Sequence, residues 1–363
     1  MVNQMGRQTA LTKQQNLTHE GGLVREIRTF PFDTSSTESF ELYRTEFGKT
    51  VVTKSEDFLP SFPDESVDLV FTSPPFALLR QKSYGNKAQA EYVDWLVSFG
   101  PQIKRVLKES GSFVIDLGGA YRRGVPARSL YNFRVLLRLC DEHGFFLAED
   151  FYWHNPARLP SPIEWVNKRK MRAKDSVDTV WWLSKSEFPK ANISNVLVPY
   201  SDRMKQLIKD PSGFFREDKD KRPSGHEVTK RFKKDNGGAI PANLLQYPNT
   251  DSNSSYIRHC KSHGIKPHPA RFPRALPEFF IQFLTDPGDT VVDIFAGSNT
   301  TGEVADSLGR HWVAIECDFE YAIASAFRFM QHWPQDRITA FIERARQTAG
   351  ATQSIIPPQK SLF

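Results

Sequence analysis

Short apolar runs alternate with stretches of helical spacing along most of this chain. Runs rich in β-branched and aromatic residues predict strands over residues 49–53, 67–72, 112–117, 145–153, 177–183, 291–293 and 312–315. Apolar residues at helical spacing predict helices over residues 91–108 (with a break at Pro101), 128–140, 276–284, 301–308, 320–330 and 335–347. Strands that alternate with helices predict an α/β fold with one doubly wound sheet, to which both halves of the chain contribute.

Three segments lack this regular pattern. Residues 1–35 are polar and predict a partly disordered extension, and the tail over 349–363 contains Pro, Gln and Ser. Between residues 186 and 263, Pro, Gly, Asn and Ser are frequent and the periodicity is poor.

Apolar runs stay shorter than the roughly 18 residues of a membrane span, and residues 1–20 lack an apolar signal core. We therefore expect a cytoplasmic protein without a membrane segment.

The charge distribution bears on the class of partner, and the spacing of the cysteines argues against a metal site. The chain has 363 residues and a formal net charge of +6. Residues 203–234 hold 11 Lys and Arg against 5 Asp and Glu, so this segment is either a solvated surface or a phosphate-binding module. Cys140, Cys260 and Cys317 are far apart with no Cys-x-x-Cys pair, which argues against a disulfide framework and a cysteine zinc site. We expect no metal.

The strand predicted over residues 67–72 runs into the turn Thr72-Ser73-Pro74-Pro75-Phe76. Consecutive prolines hold φ near about −65° and remove two backbone donors, which makes the turn stiff. The turn presents a hydroxyl, carbonyl oxygens and an aromatic ring. This combination suits a planar ligand with an amino group on its edge, because the oxygens accept from the amine and the ring stacks on the plane. An ordinary Pro-rich loop is the alternative interpretation.

A second motif lies near the other end of the chain. The apolar run at 291–292 leads into Asp293-Ile294-Phe295-Ala296-Gly297-Ser298-Asn299-Thr300, which combines a strand-end acid, a tight Gly turn and a helix start. Such a turn lets backbone N–H groups approach a ligand closely. Glu316 follows 23 residues after Asp293, at the end of another predicted strand. An acid at about this spacing binds ribose hydroxyls in dinucleotide-type folds.

Together, these motifs resemble those of amino-group DNA methyltransferases. The catalytic motif precedes the cofactor motif, which is the permuted order of the class called beta, and residues 77–86, 118–133, 160–174 and 234–246 are similar to the PvuII-type modification enzymes. The resemblance covers residues 40–345. It implies a Rossmann-like fold that depends on S-adenosylmethionine, with permuted motif order and an inserted target-recognition region. Ser at position 73 is typical of members that methylate N4 of cytosine.

The resemblance also implies roles for individual residues. It assigns catalysis to Ser73, Pro74, Pro75 and Phe76, with Asp116 as a secondary catalytic residue near the target amine. It assigns cofactor contacts to Thr72, Phe272, Asp293, Phe295, Gly297, Ser298, Asn299, Thr300 and Glu316. Two departures from the family pattern stand out. Asn299 replaces a Gly, although Asn tolerates a positive φ, and Lys54-Ser55-Glu56-Asp57 stands where Gly-Asp is usual, so that Ser55 or Asp57 would have to substitute.

The resemblance and the composition of the chain together predict the domains and the DNA contacts. We expect an extension over 1–35, a catalytic half over 36–185, a target-recognition region over 186–265, a cofactor-binding half over 266–348 and a tail over 349–363. A recognition region reads base edges instead of building the sheet, which explains its irregular sequence. The candidate DNA contacts are Arg80, Lys168, Arg169, Arg222, His226 and Lys230.

The expected function is methyl transfer from S-adenosylmethionine to N4 of a flipped cytosine in double-stranded DNA. A type II restriction-modification system is the expected setting, with a CAGCTG-like site and a cognate endonuclease as a functional companion that forms no stable complex. A monomer suffices for this reaction. Three alternatives remain open: adenine-N6 methylation by the same fold, a non-catalytic sequence-specific DNA-binding protein, and a methyltransferase for an RNA or small-molecule amine.

Overall fold

One nine-stranded sheet runs through the computed structural model, which describes residues 39–76, 89–210, 234–250 and 254–353. Its strands are β1 (Phe40–Arg44), β2 (Gly48–Val52), β3 (Val67–Thr72), β4 (Leu107–Gly118), β5 (Phe146–His154), β6 (Val177–Ser184), β7 (Leu244–Gln246), β8 (Thr290–Asp293) and β9 (His311–Glu316). Their spatial order is β1-β2-β9-β8-β3-β4-β6-β5-β7. Both halves of the chain therefore contribute to one sheet, as predicted.

The middle of the sheet is parallel. β2 pairs with β9, β9 with β8, β8 with β3 and β3 with β4, all in parallel, whereas β6 runs antiparallel to both β4 and β5. Parallel neighbours end at the same edge, and ligands of such sheets bind outside the carboxyl ends of the strands. The two motifs thus reach the same edge, because β3 carries the first motif and its neighbour β8 carries the second.

Helices cover both faces of the sheet. They are α1 (Ser55–Phe58), α2 (Gln89–Val97), α3 (Gly100–Val106), α4 (Tyr131–His143), α5 (Asp202–Lys209), α6 (Ser255–Ser262), α7 (Ala275–Leu284), α8 (Thr300–Ser307), α9 (Phe319–Ser325) and α10 (Gln335–Gln353). Shorter helical turns span Leu59–Ser61, Glu164–Lys168, Ile193–Val196 and Ala326–Arg328.

Strand side chains alternate between two hydrophobic clusters. Leu69 and Phe71 of β3 pack into the cluster that holds the buried faces of α6 to α10, and Val70 packs with α2, α3 and α4. Trp182 and Trp181 of β6 divide in the same way, so both tryptophans belong to the core. Alternation with a period of two and apolar cover on both faces define the expected doubly wound α/β architecture.

The sequence prediction erred at edges and boundaries. No strand was predicted for β1 or β7, which are short and complete the two edges of the sheet by pairing with β2 and β5. The helix predicted over 91–108 divides at the predicted break into α2 and α3, because α2 ends before Pro101, which sits in the first turn of α3. The last two residues of that prediction, Leu107 and Lys108, begin β4.

The predicted target-recognition region contributes to the core at its C-terminal end. β7 pairs with β5, and Tyr256, Ile257 and Cys260 of α6 are buried in the larger hydrophobic cluster. The domain boundaries stay predictions. The extension over 1–35 and residues 77–88 lie outside the described residues. Among the described helices, none combines the length and apolar character needed to cross a membrane.

Candidate active site

Two turns that are distant in sequence meet at the carboxyl edge of the sheet. Thr72, the last residue of β3, donates through Oγ1 to Asp293 Oδ1 at 2.7 Å, and Asp293 ends the neighbouring β8. Asp293 also accepts from Thr301 Oγ1 at 2.6 Å and from the Phe295 amide at 3.1 Å. Burial raises the pKa of Asp293 to about 6, although these donors oppose the shift. Asp293 therefore ties both turns to the start of α8.

A cavity of about 360 Å³ lies between the two turns. Most predicted catalytic and cofactor residues line it, namely Ser73, Pro74, Pro75, Phe76, Asp116, Phe272, Phe295, Gly297, Ser298, Thr300 and Glu316. The other three, Thr72, Asp293 and Asn299, are buried outside the cavity wall. Their placement favours support of the turns over direct contact with a cofactor.

The second turn is shaped by Gly297 and Glu316. Gly297 has φ +51°, and a Cβ there would lie 2.9 Å from the His268 ring, so this position requires glycine. The Gly297 amide donates to Glu316 Oε2 at 2.8 Å, and the Asp318 amide donates to Oε1 at 2.8 Å. Burial raises the pKa of Glu316 to about 7, although both amides oppose the shift. The carboxylate therefore reaches the cavity with its orientation already set.

Asn299 replaces a Gly of the family pattern and holds the turn from within. Its φ is +53°, in the left-handed region that Asn tolerates. The side chain caps α8, because Oδ1 accepts from the Gly302 amide at 2.9 Å. Its Nδ2 donates to Tyr43 Oη at 3.0 Å and to Thr50 Oγ1 at 3.2 Å. The residue is fully buried, so its amide is committed to the fold.

The first turn places a hydroxyl beside a buried carboxyl group. Ser73 Oγ donates to Asp116 Oδ2 at 3.1 Å, and Asp116 lies in β4, which pairs with β3. Asp116 is 1% exposed, and its Oδ1 has no hydrogen-bond partner among the described residues. Burial, and then the nearby Asp178 carboxylate, raise the pKa of Asp116 well above its usual value, against the effects of Ser73 and the Arg158 charge. Carboxyl groups of this kind are suited to proton transfer.

Glycine in β4 makes room for the aromatic ring of the same turn. A Cβ on Gly118 would lie 2.2 Å from Phe76 Cε2 and 2.9 Å from Asp178 Oδ1. The ring therefore lies directly against the β4 backbone, and the Gly118 carbonyl accepts a hydrogen bond from the buried Tyr131 hydroxyl. Gly118 pairs with Asp178 across the antiparallel β4–β6 register. Hydroxyl, ring and carboxyl group thus form one wall of the cavity.

Comparisons with known proteins identify the family. A family described as DNA methylase (N6_N4_Mtase) matches residues 67–326. The type II methyltransferase M.PvuII of Proteus hauseri is 60% identical over 303 residues, which cover 83% of this chain and 90% of that protein. The chain belongs to the DNA methylase family. A solved structure titled PvuII DNA methyltransferase (cytosine-N4-specific) is 51% identical, with a TM-score of 0.68 over 84% of this chain and 94% of that one.

A more distant relative covers much of the same chain. The type II methyltransferase M.BglII of Bacillus subtilis is 26% identical over 77% of this chain and 68% of that protein. These similarities confirm the predicted family and the predicted methyltransferase fold class.

The cavity of this DNA methylase also contains residues that the motifs did not indicate. Asp178 near the start of β6 is 2% exposed and binds Arg158 through both carboxylate oxygens, with Nη1 to Oδ1 at 3.0 Å. Trp153, Asn155 and Asn249 lie on the same wall. A charged residue inside an apolar strand was the available signal for Asp178. Arg158 carried none, because it stands in an irregular segment after β5.

The segment after β2, which differs from the usual family pattern, also lines the cavity. Thr53, Lys54, Ser55 and Glu56 are all wall residues, whereas Asp57 is not. Ser55 is buried and its hydroxyl donates to the Ile294 carbonyl in the cofactor turn. Of the two candidate substitutes for the usual Gly-Asp, the placement therefore favours Ser55.

Two predicted DNA contacts are described, and neither lines the cavity. Lys168 is the last residue of the turn Glu164–Lys168, and Arg169 follows it. Both side chains pair with the Glu164 carboxylate, Lys168 at 3.3 Å and Arg169 at 2.9 Å. Their side chains are 69% and 62% exposed, so phosphates can reach them. Their role in DNA binding stays a prediction. The remaining candidates, Arg80, Arg222, His226 and Lys230, lie outside the described residues.

Proposed function

We propose that this DNA methylase transfers a methyl group from S-adenosylmethionine to N4 of cytosine in double-stranded DNA. One observation carries the proposal: the Ser73 hydroxyl, oriented by Asp116, lines the same cavity as the Gly297 turn and Glu316. The similarity to a protein named as a cytosine-N4-specific methyltransferase supports cytosine over adenine as the base.

The Ser73 turn answers the main chemical difficulty of the reaction. An exocyclic amine is a poor nucleophile because its lone pair is delocalised into the ring. Ser73 donates its own hydrogen to Asp116, so the lone pairs of Oγ are available to accept from the target amine. The Pro74 carbonyl accepts the second amine hydrogen. Both bonds draw the nitrogen towards sp³ geometry and localise its lone pair, while Phe76 stacks on the ring and Pro75 keeps the turn stiff.

Asp116 receives the proton that methyl transfer makes acidic. The nitrogen carries a positive charge once the N–C bond forms, and a nearby carboxylate stabilises that charge. A carboxyl group with a raised pKa accepts a proton more readily than an ordinary one. The Ser73 hydroxyl already donates to Asp116 Oδ2, and the free Oδ1 is a second acceptor. The proton therefore leaves either directly or through the Ser73 hydroxyl.

The opposite wall holds the cofactor. S-Adenosylmethionine supplies an electrophilic methyl group, so positioning provides much of the acceleration. Glu316 accepts from the ribose hydroxyls, and Phe272 and Phe295 contact the adenine or the methionine chain. Gly297, Ser298 and Thr300 shape the turn beneath the methionine group. Thr72, Asp293 and Asn299 hold that turn in place.

Recognition requires the cytosine to leave the duplex. Flipping costs a few kcal/mol, which phosphate and base contacts offset. We assign such contacts to the basic segment over 203–234, to Lys168 and Arg169, and to Arg80, Arg222, His226 and Lys230. The expected site is a CAGCTG-like palindrome with its inner cytosine modified. We propose that the chain acts as a monomer in the cytoplasm, where methylation protects DNA from an endonuclease of the same specificity.

Mass spectrometry of nucleosides tests the reaction. Plasmid DNA and S-adenosylmethionine are incubated with the wild type, Ser73→Ala or Ser66→Ala. Ser66 directly precedes β3 and is therefore remote from the Ser73 turn at its other end. We expect N4-methylcytosine with the wild type and with Ser66→Ala. Ser73→Ala should transfer methyl groups about 10² to 10⁴ times more slowly, because it loses a positioned hydrogen-bond acceptor of the amine. Formation of N6-methyladenine would overturn the base assignment, and unchanged transfer by Ser73→Ala would overturn the role of the turn.

A further inference from the structure

A clamped guanidinium forms part of the cavity wall beside Asp116. Arg158 donates through Nη1 and Nη2 to the two carboxylate oxygens of Asp178. Asp178 is 2% exposed, whereas the Arg158 side chain is 28% exposed, and both residues line the cavity. The Arg158 guanidinium carbon also lies 5.9 Å from the centre of the Trp153 ring. Bidentate pairing fixes the plane of the guanidinium, which makes it a preorganised donor.

Most of the donor capacity of Arg158 is unused. A guanidinium carries five N–H groups, and the pair with Asp178 accounts for two of them. Across the described segments, the other three have no protein acceptor. A purely structural ion pair between β6 and the segment after β5 needs no such opening towards a cavity. Free donors on a rigid group instead match a ligand that presents acceptors.

The edge of cytosine presents such acceptors next to its amine. With N4 held by Ser73 and the Pro74 carbonyl, N3 and the carbonyl oxygen O2 follow along the same edge of the ring. Adenine has an acceptor, N1, beside its amine, but a C–H group where cytosine has O2. A donor aimed at O2 therefore separates the two bases, whereas the amine-binding turn does not.

We propose that Arg158, held by Asp178, donates to O2 of the flipped cytosine and is a specificity-determining residue of this enzyme. The inference rests on the proposed methyl transfer to cytosine and adds a base-reading contact to it. Asp178 is the positioning residue, because it touches the guanidinium and holds its plane. Asn155 is the rival donor on this wall: its Oδ1 accepts from the Ala157 and Asn249 amides, each at 3.1 Å, which leaves its Nδ2 to donate.

A base analogue separates these possibilities. Duplexes carry at the target position either cytosine or a 2-aminopyridin-5-yl C-nucleoside, which keeps the amine and the adjacent ring nitrogen but has C–H in place of C2=O2. Single-turnover methyl transfer is measured for the wild type, Arg158→Gln, Arg158→Lys and Asn155→Ala. Arg138→Gln is the matched control, because it removes another Arg–carboxylate pair on α4 that does not line the cavity. Cofactor affinity is measured for every variant.

We expect the wild type to lose about 10- to 100-fold in rate on the analogue, the discrimination typical of a good base contact. Arg158→Gln should lose about the same factor on cytosine and little on the analogue, with unchanged cofactor affinity. Arg158→Lys keeps the charge without the fixed donor plane, so its rate on cytosine should lie between those of the wild type and Arg158→Gln. Arg138→Gln should behave like the wild type.

Several results would overturn the inference. If Arg158→Gln loses the same factor in rate on both bases, Arg158 has a structural role only. If the variant loses no rate on either base, Arg158 has no role in the reaction. A selective loss with Asn155→Ala but not with Arg158→Gln would move the contact to Asn155. If Arg158→Gln fails to bind cofactor, Arg158→Lys carries the test, and equal losses on both bases then overturn the proposal. A wild type that leaves cytosine unmethylated would instead refute the proposed function itself.

Discussion

The two walls of the cavity differ in how their polar groups are satisfied. On the cofactor wall, Glu316 accepts hydrogen bonds from two backbone amides. Behind that wall, Asp293 accepts three hydrogen bonds and Asn299 uses both ends of its amide, all within the protein. On the catalytic wall, Asp116 Oδ1 has no partner and Arg158 keeps donors free within the described residues. The fold thus satisfies the polar groups on the cofactor side, whereas polar groups on the catalytic wall keep unused hydrogen-bonding capacity.

This difference separates preorganisation from chemistry. Buried polar groups normally find partners, because an unpaired one costs about 1–3 kcal/mol. The cofactor turn meets that requirement and keeps a rigid shape. Under the proposed function, the substrate supplies the partners of the unpaired groups on the catalytic wall, as expected where charge develops during a reaction. Changes on the catalytic wall should therefore affect rate, and changes on the cofactor wall should affect affinity and stability.

The sharpest test of this contrast is Asp116→Asn. The amide keeps the shape and removes the proton acceptor, so we expect the transfer rate to fall by about 100-fold. Because the pKa of Asp116 is raised, the wild-type rate should increase with pH as this group ionises, whereas the variant should lose that dependence. Single-turnover pH profiles measure both effects. Asp94→Asn, on the exposed face of α2, is the control. A variant with the wild-type rate and pH profile would mean that Asp116 only fills space.

Glu316→Gln tests the cofactor wall and should act mainly on affinity. Loss of the carboxylate should weaken S-adenosylmethionine binding by about 10-fold, the scale of a hydrogen bond to a charged group. With a pKa of about 7, Glu316 ionises near neutrality, so wild-type affinity should tighten as pH rises through that range and the variant should not respond. Calorimetric titration at several pH values measures this, with the exposed Glu320→Gln as control. A pH-independent wild-type affinity would contradict the role of Glu316.

Glu316 also couples stability to pH, with a definite sign. Its pKa in the folded protein lies above the usual 4.5, so the folded state binds the proton more tightly than the unfolded state. The stabilisation is therefore complete below about 4.5 and is lost as pH rises through about 7. The free energy of unfolding of the cofactor-free protein should decline over this pH range. The decline should be smaller in Glu316→Gln.

The smallest expected effect concerns Asn299, a residue of the scaffold alone. Asn299→Ala and Asn299→Gly both lose the cap on α8 and the bonds to Tyr43 and Thr50. Alanine must in addition adopt φ near +53°, so we expect it to be less stable than the glycine variant by about 1 kcal/mol. Denaturant unfolding measures the difference, while transfer rates of folded protein should change little. Equal stabilities would show that this backbone angle relaxes on substitution.

Much of the fold was predictable because its patterns are local. The strands that carry the motifs are apolar runs, and β3 begins and ends at the predicted residues. The edge strands β1 and β7 were missed because they form by pairing with a neighbour, which their own residues hardly signal. The site was predictable where a motif is contiguous, as in Ser73–Phe76 and Asp293–Thr300. Arg158 and Asp178 were missed because three-dimensional packing alone joins a segment after β5 to β6.

What the sequence determined by itself is the chemistry of the two turns. A hydroxyl before two prolines, and a glycine turn with an acid 23 residues later, depend on neighbouring residues and so can be read from the chain. The tertiary structure decided which groups face the cavity. Asn299 turns into the core to cap α8, Asp116 keeps one oxygen unpaired, and Asp178 clamps Arg158 beside it. Burial and orientation are properties of the packed sheet, because only the pairing of distant strands sets which polar groups find partners and which remain open for a substrate.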